Sequence, residues 1–117
     1  MTLVAVCADD DVEEGGSAGF RLETQDGPLR LMVIRKCGAL HVYVNVCPHR
    51  RLPLDFHPGR FLTEDGRHIL CTNHIALFRL EDGVCVDGPC RGQALQPVPY
   101  TVKGGVLFVT VGPERQA

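Results

Sequence analysis

The sequence lacks the features that mark nucleic-acid-binding or membrane-spanning proteins. Lysine and arginine together number 12 against 14 aspartate and glutamate residues, which gives a formal net charge of −2 at pH 7. A chain without a basic excess has no broad cationic face for phosphates, so we expect no nucleic-acid partner. No apolar run approaches the roughly 20 residues that a membrane-spanning helix needs, so we expect no membrane partner either.

The N-terminal segment also lacks the pattern of a signal peptide. MTLVAVCADDD is a short apolar strand that runs into acidic residues, without a basic start or a long apolar run. This pattern favours a cytoplasmic location. At 117 residues the chain is expected to be a single domain over 1–117, with a core of its own and no room for a second catalytic domain.

An apolar period of 3.6 residues over helical length is missing, and short alternating segments predominate instead. Two hairpins are predicted, one over 30–46 around Cys37-Gly38-Ala39 and one over 98–111 around Gly104-Gly105. Short strands separated by turns at regular intervals predict an all-β fold, an antiparallel sandwich or barrel. The acidic, glycine-rich segment from Asp10 to Gly19 is predicted to be a mobile connection. Phe56 to His68 is predicted to be an extended surface loop.

Two cysteine–histidine pairs are the most informative feature of the chain. Cys47-Pro48-His49 supplies Cys47 and His49, and Cys71-Thr72-Asn73-His74 supplies Cys71 and His74, with 21 residues between His49 and Cys71. Two thiolates and two imidazoles suit a 2Fe-2S cluster in which the cysteines hold one iron and the histidines hold the other. Cysteine and histidine also bind tetrahedral zinc, so a structural zinc module is an alternative, although such modules favour CxxC-type pairs.

These motifs resemble those of the Rieske 2Fe-2S protein family, and in particular the small Rieske-type ferredoxins. The segments CPHRRLPLD, CTNHIALFRLEDG and VDGPCRGQALQPVPYTVKGGVLFVTV carry the resemblance, which extends over nearly every segment from about Leu29 onward. It implies a Rieske-type antiparallel β sandwich or barrel with a small cluster-binding subdomain over about 46–90. It also implies that the cofactor is a 2Fe-2S cluster and that Cys47, His49, Cys71 and His74 are its ligands.

The second loop differs from that of the high-potential Rieske proteins of cytochrome bc complexes. Those proteins carry a serine and a tyrosine that donate hydrogen bonds to the cluster, where this sequence has Ala76 and Phe78. They also carry one extra cysteine in each loop, where this sequence has Leu52 and Asn73. Both differences imply a cluster of low potential, as in the ferredoxin branch.

The resemblance implies a one-electron carrier that is not itself an enzyme and has no catalytic residues. Its implied partners are redox proteins, a flavin-dependent reductase as donor and a terminal oxygenase or similar enzyme as acceptor. The alternative is the small subunit of a larger reductase, such as nitrite reductase.

Cys7 and Cys37 lie in strand-like apolar contexts and are expected to act as small buried hydrophobes. Ordinary structural roles are also expected for the other cysteines and histidines outside the two pairs, which are Cys85, Cys90, His41, His57 and His68. Gly88-Pro89 resembles the proline loop that covers the cluster in the family, and Cys90 beside it is a candidate to approach the cluster.

Overall fold

A computed structural model of the protein describes residues 2–24, 27–46, 54, 61–63, 66–71, 76–88 and 91–111. Within these ranges the chain forms nine β-strands and one short 3-10 helix, Asp9–Asp11. The strands are β1 (Thr2–Ala8), β2 (Ser17–Thr24), β3 (Gly27–Lys36), β4 (Ala39–Val44), β5 (His68–Cys71), β6 (Ala76–Arg79), β7 (Cys85–Asp87), β8 (Tyr100–Lys103) and β9 (Val106–Val111). No helix in the described ranges is long and apolar enough to cross a membrane.

The strands form three antiparallel sheets of three strands each, with the orders β1-β9-β8, β2-β3-β4 and β5-β6-β7. The expected all-β antiparallel fold is therefore confirmed. Both predicted hairpins form, as β3-β4 and β8-β9. The first turns at Cys37 and Gly38, whose φ values are 54° and 78°. Two successive residues with positive φ match the twist of the flanking strands, which is why such a short turn joins them.

The side chains of β3 alternate between two hydrophobic clusters, so one sheet separates two cores. Met32 and Ile34 belong to the first cluster, which also contains the buried residues of β5 and β6. Leu31 and Val33 belong to the second cluster, which contains Leu107 and Val109 of β9. The period of two along a strand places alternate side chains on opposite faces of the sheet. The first cluster is named the upper core below, and the second the lower core.

The acidic segment 10–19 is held to the sheet by specific contacts, unlike the mobile connection predicted for it. Arg35 donates from Nε to the carbonyl of Val12 over 2.8 Å and forms an ion pair with Asp9. The carboxylate of Glu14 accepts hydrogen bonds from the backbone N–H groups of Cys37 and Gly38. Because its partners lie more than 20 positions away in sequence, local composition did not reveal this anchoring.

The prediction of a surface loop over 56–68 is wrong for residues 61–63. Phe61 is fully buried in the upper core, and Leu62 pairs with Ile69 in an isolated β-bridge. The N–H of Leu70 donates to the carbonyl of Phe61 over 2.7 Å, so residues 61–63 lie beside β5. Residues 55–60 and 64–65 lie outside the described residues.

Candidate metal centre

Of the four predicted ligands, Cys71 is the one that lies among the described residues. It is the last residue of β5 and is fully buried in the upper core. Its backbone partner in the neighbouring strand is Ala76, the first residue of β6. The four residues between them in sequence include His74, which lies outside the described residues. The thiol of Cys71 is therefore delivered by a strand end, as the sequence predicts for this ligand.

The first predicted ligand pair follows β4, and the described residues on either side of it are fixed. Asn45 is buried, and its backbone N–H donates to the carbonyl of Arg30 over 2.8 Å, which continues the pairing of β3 with β4. The side-chain Oδ1 of Asn45 accepts a hydrogen bond of 2.8 Å from the N–H of Leu54. Cys47 and His49 lie between these two anchors in sequence and outside the described residues.

Both loop segments are anchored in the same hydrophobic cluster. Leu54 follows the first predicted ligand pair, and Cys71 and Ala76 flank the residues that contain His74; all three are fully buried in the upper core. Fixed points of both loops thus converge on one apolar region with a cysteine sulfur in it. A sulfur ligand in an apolar surrounding suits an iron–sulfur cluster, whose potential depends on burial and on hydrogen bonds to its sulfurs. Within the ranges that the structure describes, no group of three or more His, Cys, Asp or Glu side chains gathers in metal-binding proximity.

The two positions expected to lack hydroxyl donors lie in β6. Ala76 and Phe78 are both fully buried in the upper core together with Cys71. Neither side chain carries a hydrogen-bond donor. The described tyrosine of this core, Tyr43, donates its hydroxyl to the carbonyl of Leu80 over 2.7 Å. The hydroxyl of Tyr43 therefore has a structural partner of its own.

The segment that carries the expected proline loop packs against the same core. Cys85 is buried, and its Sγ lies 3.1 Å from the carbonyl oxygen of Asp87. Gly88 has a φ of 107°, a backbone conformation that favours glycine, and its carbonyl accepts from the N–H of Arg91 over 3.3 Å. Pro89 and Cys90 lie outside the described residues, so the expected cover over the cluster stays a prediction.

Two of the three remaining histidines lie in strands. His41 belongs to β4 and His68 is the first residue of β5, both half-buried. These positions agree with the ordinary roles expected for them. His57 lies outside the described residues.

The electrostatics of the described site region come from Tyr43 and from the turn between β6 and β7. Burial of the Tyr43 hydroxyl, with smaller contributions from Asp82 and Glu81, raises its pKa to about 12. Asp82 forms an exposed ion pair with Arg79, and the hydrogen bond from Arg79 lowers the pKa of the Asp82 carboxyl. The ion pair with Arg79 therefore compensates the charge of Asp82 in this turn.

Sequence reasoning missed three residues that support the loops: Asn45, Phe61 and Tyr43. The available signal for Asn45 was a polar residue at the end of an apolar strand, two positions before a predicted ligand. A polar side chain at such a position is a candidate to bond the backbone of the following loop. Phe61 and Tyr43 carried no comparable local signal.

The family model for the Rieske [2Fe-2S] domain matches residues 2–103. The ferredoxin component of the alkene monooxygenase system of Xanthobacter autotrophicus (strain ATCC BAA-1158 / Py2) is 31% identical over 97% of this chain and 84% of its own length. The ferredoxin component of the p-cumate 2,3-dioxygenase system of Pseudomonas putida is 31% identical over 94% of this chain and 86% of its own length. In fold, the chain is similar to the ferredoxin of Sphingomonas yanoikuyae B1, with a TM-score of 0.75, 22% identity and coverage of 95% and 100%.

The family match, together with the buried Cys71 near the anchors of both loops, places the chain in the class of iron–sulfur proteins. This chain belongs to the Rieske [2Fe-2S] domain family. The resemblance to the Rieske family and the expected 2Fe-2S cofactor are thereby confirmed. Its chemistry is one-electron transfer, and it is an electron-transfer protein rather than an enzyme in its own right.

Proposed function

We propose that this chain is the ferredoxin component of an oxygenase system, which carries single electrons from a flavin-dependent reductase to a terminal oxygenase. The observation that carries the proposal is its similarity, over nearly its whole length, to ferredoxin components of two oxygenase systems. Both relatives are named for that role in systems that act on different substrates. The two relatives therefore share the carrier role, and we infer that the substrate of each system is determined by another component.

The proposed cluster ligands are Cys47, His49, Cys71 and His74, with the two cysteines on one iron and the two histidines on the other. The buried position of Cys71 at the end of β5 supports this set, as do the anchored residues Asn45 and Leu54 around the first pair. The proposed domain organisation is one Rieske domain over 1–117 with a cluster-binding subdomain over about 46–90.

The cluster, when bound, supplies a reversible one-electron couple. Histidine ligation makes it less negatively charged than an all-cysteine cluster, so its potential falls in the range of roughly −150 to +300 mV. The protein's own contribution is to exclude water and to limit hydrogen bonds to the sulfurs. The apolar side chains Ala76 and Phe78 in the upper core support a potential near the lower end of this range.

The proposed location is the cytoplasm. Cys37 presents an exposed thiol at the tip of the β3-β4 turn, so the expectation that it would be buried is wrong. Reducing compartments preserve such thiols, whereas oxidising ones convert them to disulfides. The exposure of Cys37 supports this location.

The ligand set is tested by cysteine replacement in protein produced under iron-replete, anaerobic conditions. Iron and acid-labile sulfide should each reach two per chain, and the reduced protein should show the EPR signal of low average g that mixed Cys/His ligation gives. Cys71→Ser and Cys47→Ser should abolish cluster assembly, while Cys37→Ser, which changes an exposed turn thiol, should leave it intact. Stoichiometric zinc without sulfide would refute the cluster.

The carrier role is tested separately by reconstitution. A reductase and a terminal oxygenase of the Rieske-ferredoxin type should couple NADH oxidation to substrate oxygenation only when this chain is added. Reduction of the protein by the reductase without any electron transfer to the oxygenase would favour the role of a reductase subunit instead.

A further inference from the structure

Two arginines face each other across neighbouring strands in the β2-β3-β4 sheet. Arg21 of β2 pairs directly with Arg30 of β3. Both side chains are exposed. Like charges directly opposite in an antiparallel pair repel each other, because their Cβ atoms lie only about 4.5–5.5 Å apart. The fold alone gains nothing from this arrangement.

The two positive charges are only partly compensated. Arg21 forms an ion pair with Glu23, with Nε and Oε2 3.0 Å apart, and both side chains are largely exposed to water. In the described part of the chain, Arg30 takes part in no ion pair. Two cations against one carboxylate leave a local excess of positive charge on a chain whose net charge is −2.

This excess lies beside Asn45, which precedes the first predicted ligand pair in sequence. The backbone carbonyl of Arg30 accepts the N–H of Asn45 over 2.8 Å, so Arg21, Arg30 and Asn45 form one row across the sheet. Cys47 follows Asn45 by two residues. In the register of the strands, the row lies on the same face as Met32 and Tyr43, which is the face that carries the upper core.

Two of the acidic residues near the N-terminus, Asp9 and Glu14, are engaged elsewhere and lie at the opposite end of the same sheet. Asp9 is paired with Arg35, and Glu14 accepts from the backbone of the Cys37-Gly38 turn. Six residue steps along β3 separate Arg30 from Lys36 before that turn, which corresponds to about 20 Å. These carboxylates are therefore poorly placed to orient a partner at the cluster.

We propose that Arg21 and Arg30 form a docking point for carboxylate groups on the surface of the redox partner protein. A partner carboxylate between the two guanidinium groups relieves their mutual repulsion and adds charge-assisted hydrogen bonds. Because Arg30 is bonded to Asn45, two residues before the first predicted ligand, the same contact would bring an acidic partner to the side of the sheet that carries the upper core and raise the association rate. This proposal rests on the carrier function proposed above.

The test compares two double variants of the cluster-loaded protein, each of which removes two positive charges. Arg21→Gln with Arg30→Gln changes the docking pair. Lys36→Gln with Lys103→Gln is the matched control. Lys36 ends β3 beside the Cys37-Gly38 turn, and Lys103 ends β8 in another sheet. Stopped-flow oxidation of the reduced protein is measured with anionic ferricyanide and with cationic hexaamminecobalt(III), and poly-L-glutamate serves as the acidic polypeptide probe.

Measurements near 0.1 M ionic strength discriminate between the two variants, because the screening length there is about 10 Å. The docking-pair variant should react about two- to fivefold more slowly with ferricyanide than the wild type, whereas the control should match the wild type. With hexaamminecobalt(III) the docking-pair variant should react at least as fast as the wild type. Poly-L-glutamate should slow ferricyanide oxidation of the wild type and the control, and several-fold more of it should be needed for the docking-pair variant.

The proposal is overturned if poly-L-glutamate does not slow the wild type, or if the control variant loses this inhibition as fully as the docking-pair variant. Visible and EPR spectra of all three proteins separate this failure from that of the carrier function. If the spectra of all three proteins are intact and the docking-pair variant reacts at the wild-type rate, the docking proposal is refuted and the carrier function stands. If the wild type contains no cluster, both the carrier function and the docking proposal are refuted.

Discussion

The side-chain oxygen of Asn45 accepts a hydrogen bond of 2.8 Å from the backbone N–H of Leu54, and both residues are buried. Asn45 immediately follows the pairing of β3 with β4, and Leu54 is fully buried in the upper core. One hydrogen bond therefore joins the two ends of the sequence that contains Cys47 and His49. The consequence is that the Asn45 side chain ties together the described residues on either side of the first predicted ligand pair.

Loss of this hydrogen bond should weaken cluster retention. Asn45→Ala leaves the buried N–H of Leu54 without this acceptor, a loss of about 1–3 kcal/mol. The rate of cluster release, followed by the decay of visible absorbance in chelator, should increase about tenfold, since 1.4 kcal/mol corresponds to a factor of ten. Asn45→Asp keeps the accepting oxygen and should fall between the wild type and Asn45→Ala.

Val44→Ala provides the neighbouring control for this prediction. Val44 packs against the lower core, on the opposite face of the sheet from the Asn45 side chain. Its truncation should lower global stability without a matching increase in cluster release. Equal effects of Val44→Ala and Asn45→Ala on cluster release would show that general destabilisation is the cause.

The absence of hydroxyl donors in β6 should set the reduction potential. We expect a midpoint near −150 mV, at the lower end of the Rieske range. Ala76→Ser together with Phe78→Tyr introduces two donors, each worth roughly 1.5–3 kcal/mol to a charged acceptor. Because 59 mV corresponds to a tenfold change for one electron, the pair should raise the potential by on the order of 100–250 mV.

Protein-film voltammetry measures this change directly, and each single variant gives the contribution of one hydroxyl. Both positions are fully buried. Thermal stability is therefore measured alongside, to recognise a variant that disturbs packing. A wild-type midpoint above about +100 mV would contradict the low-potential assignment.

Alkaline pH should destabilise the protein through Tyr43. Its pKa is raised from 10.0 to about 12 in the folded protein, mainly by burial of the hydroxyl. The unfolded chain therefore loses this proton first, so the contribution to stability is complete below pH 10 and disappears as the pH rises towards 12. Denaturant unfolding between pH 8 and 11.5 should show the midpoint falling above pH 10.

Tyr43→Phe should reduce this alkaline dependence and lower stability at pH 7. The variant leaves the carbonyl of Leu80 without its hydroxyl donor, at a cost of about 1–3 kcal/mol. Tyr100→Phe is the matched control, because Tyr100 is exposed and its hydroxyl donates to the carbonyl of Leu40 nearer the surface. An alkaline transition that persists unchanged in Tyr43→Phe would contradict the assignment.

Removal of the cluster should unfold the ligand loops and leave the lower core folded. Leu31, Val33, Leu107 and Val109 pack together without any predicted ligand among them. The upper core, in contrast, contains Cys71 and the anchors of both loops. Metal binding and local folding are coupled where the ligands hold the chain in place. Hydrogen exchange should show lost protection over 47–55 and 68–78 in the apo protein, with β3 and β9 still protected.

Local patterns in the sequence were sufficient for the hairpins and for the strand that delivers Cys71. Alternation over 30–46 and the residues Cys37-Gly38 specify β3-β4 because strand period and turn chemistry are both local properties. The burial of Phe61 and the anchoring by Asn45 depend on residues that are distant in sequence or follow a long loop. The same holds for Arg35 and the acidic segment. Contacts of this kind arise from tertiary packing, which composition and periodicity do not encode.

Because the side chains of β3 alternate between two cores, the part of the molecule on one side of the β2-β3-β4 sheet can be exchanged for that of a relative. The even-numbered residues Met32 and Ile34 contact the cluster-bearing side, while the odd-numbered Leu31 and Val33 contact the remaining sheets. Among the described residues, a chimera that receives residues 45–97 from a relative must match Met32, Ile34 and Tyr43 in the upper core and keep the backbone hydrogen bonds to Arg30 and Val44. Grafting therefore separates the redox potential from the scaffold, which keeps the proposed docking pair Arg21 and Arg30.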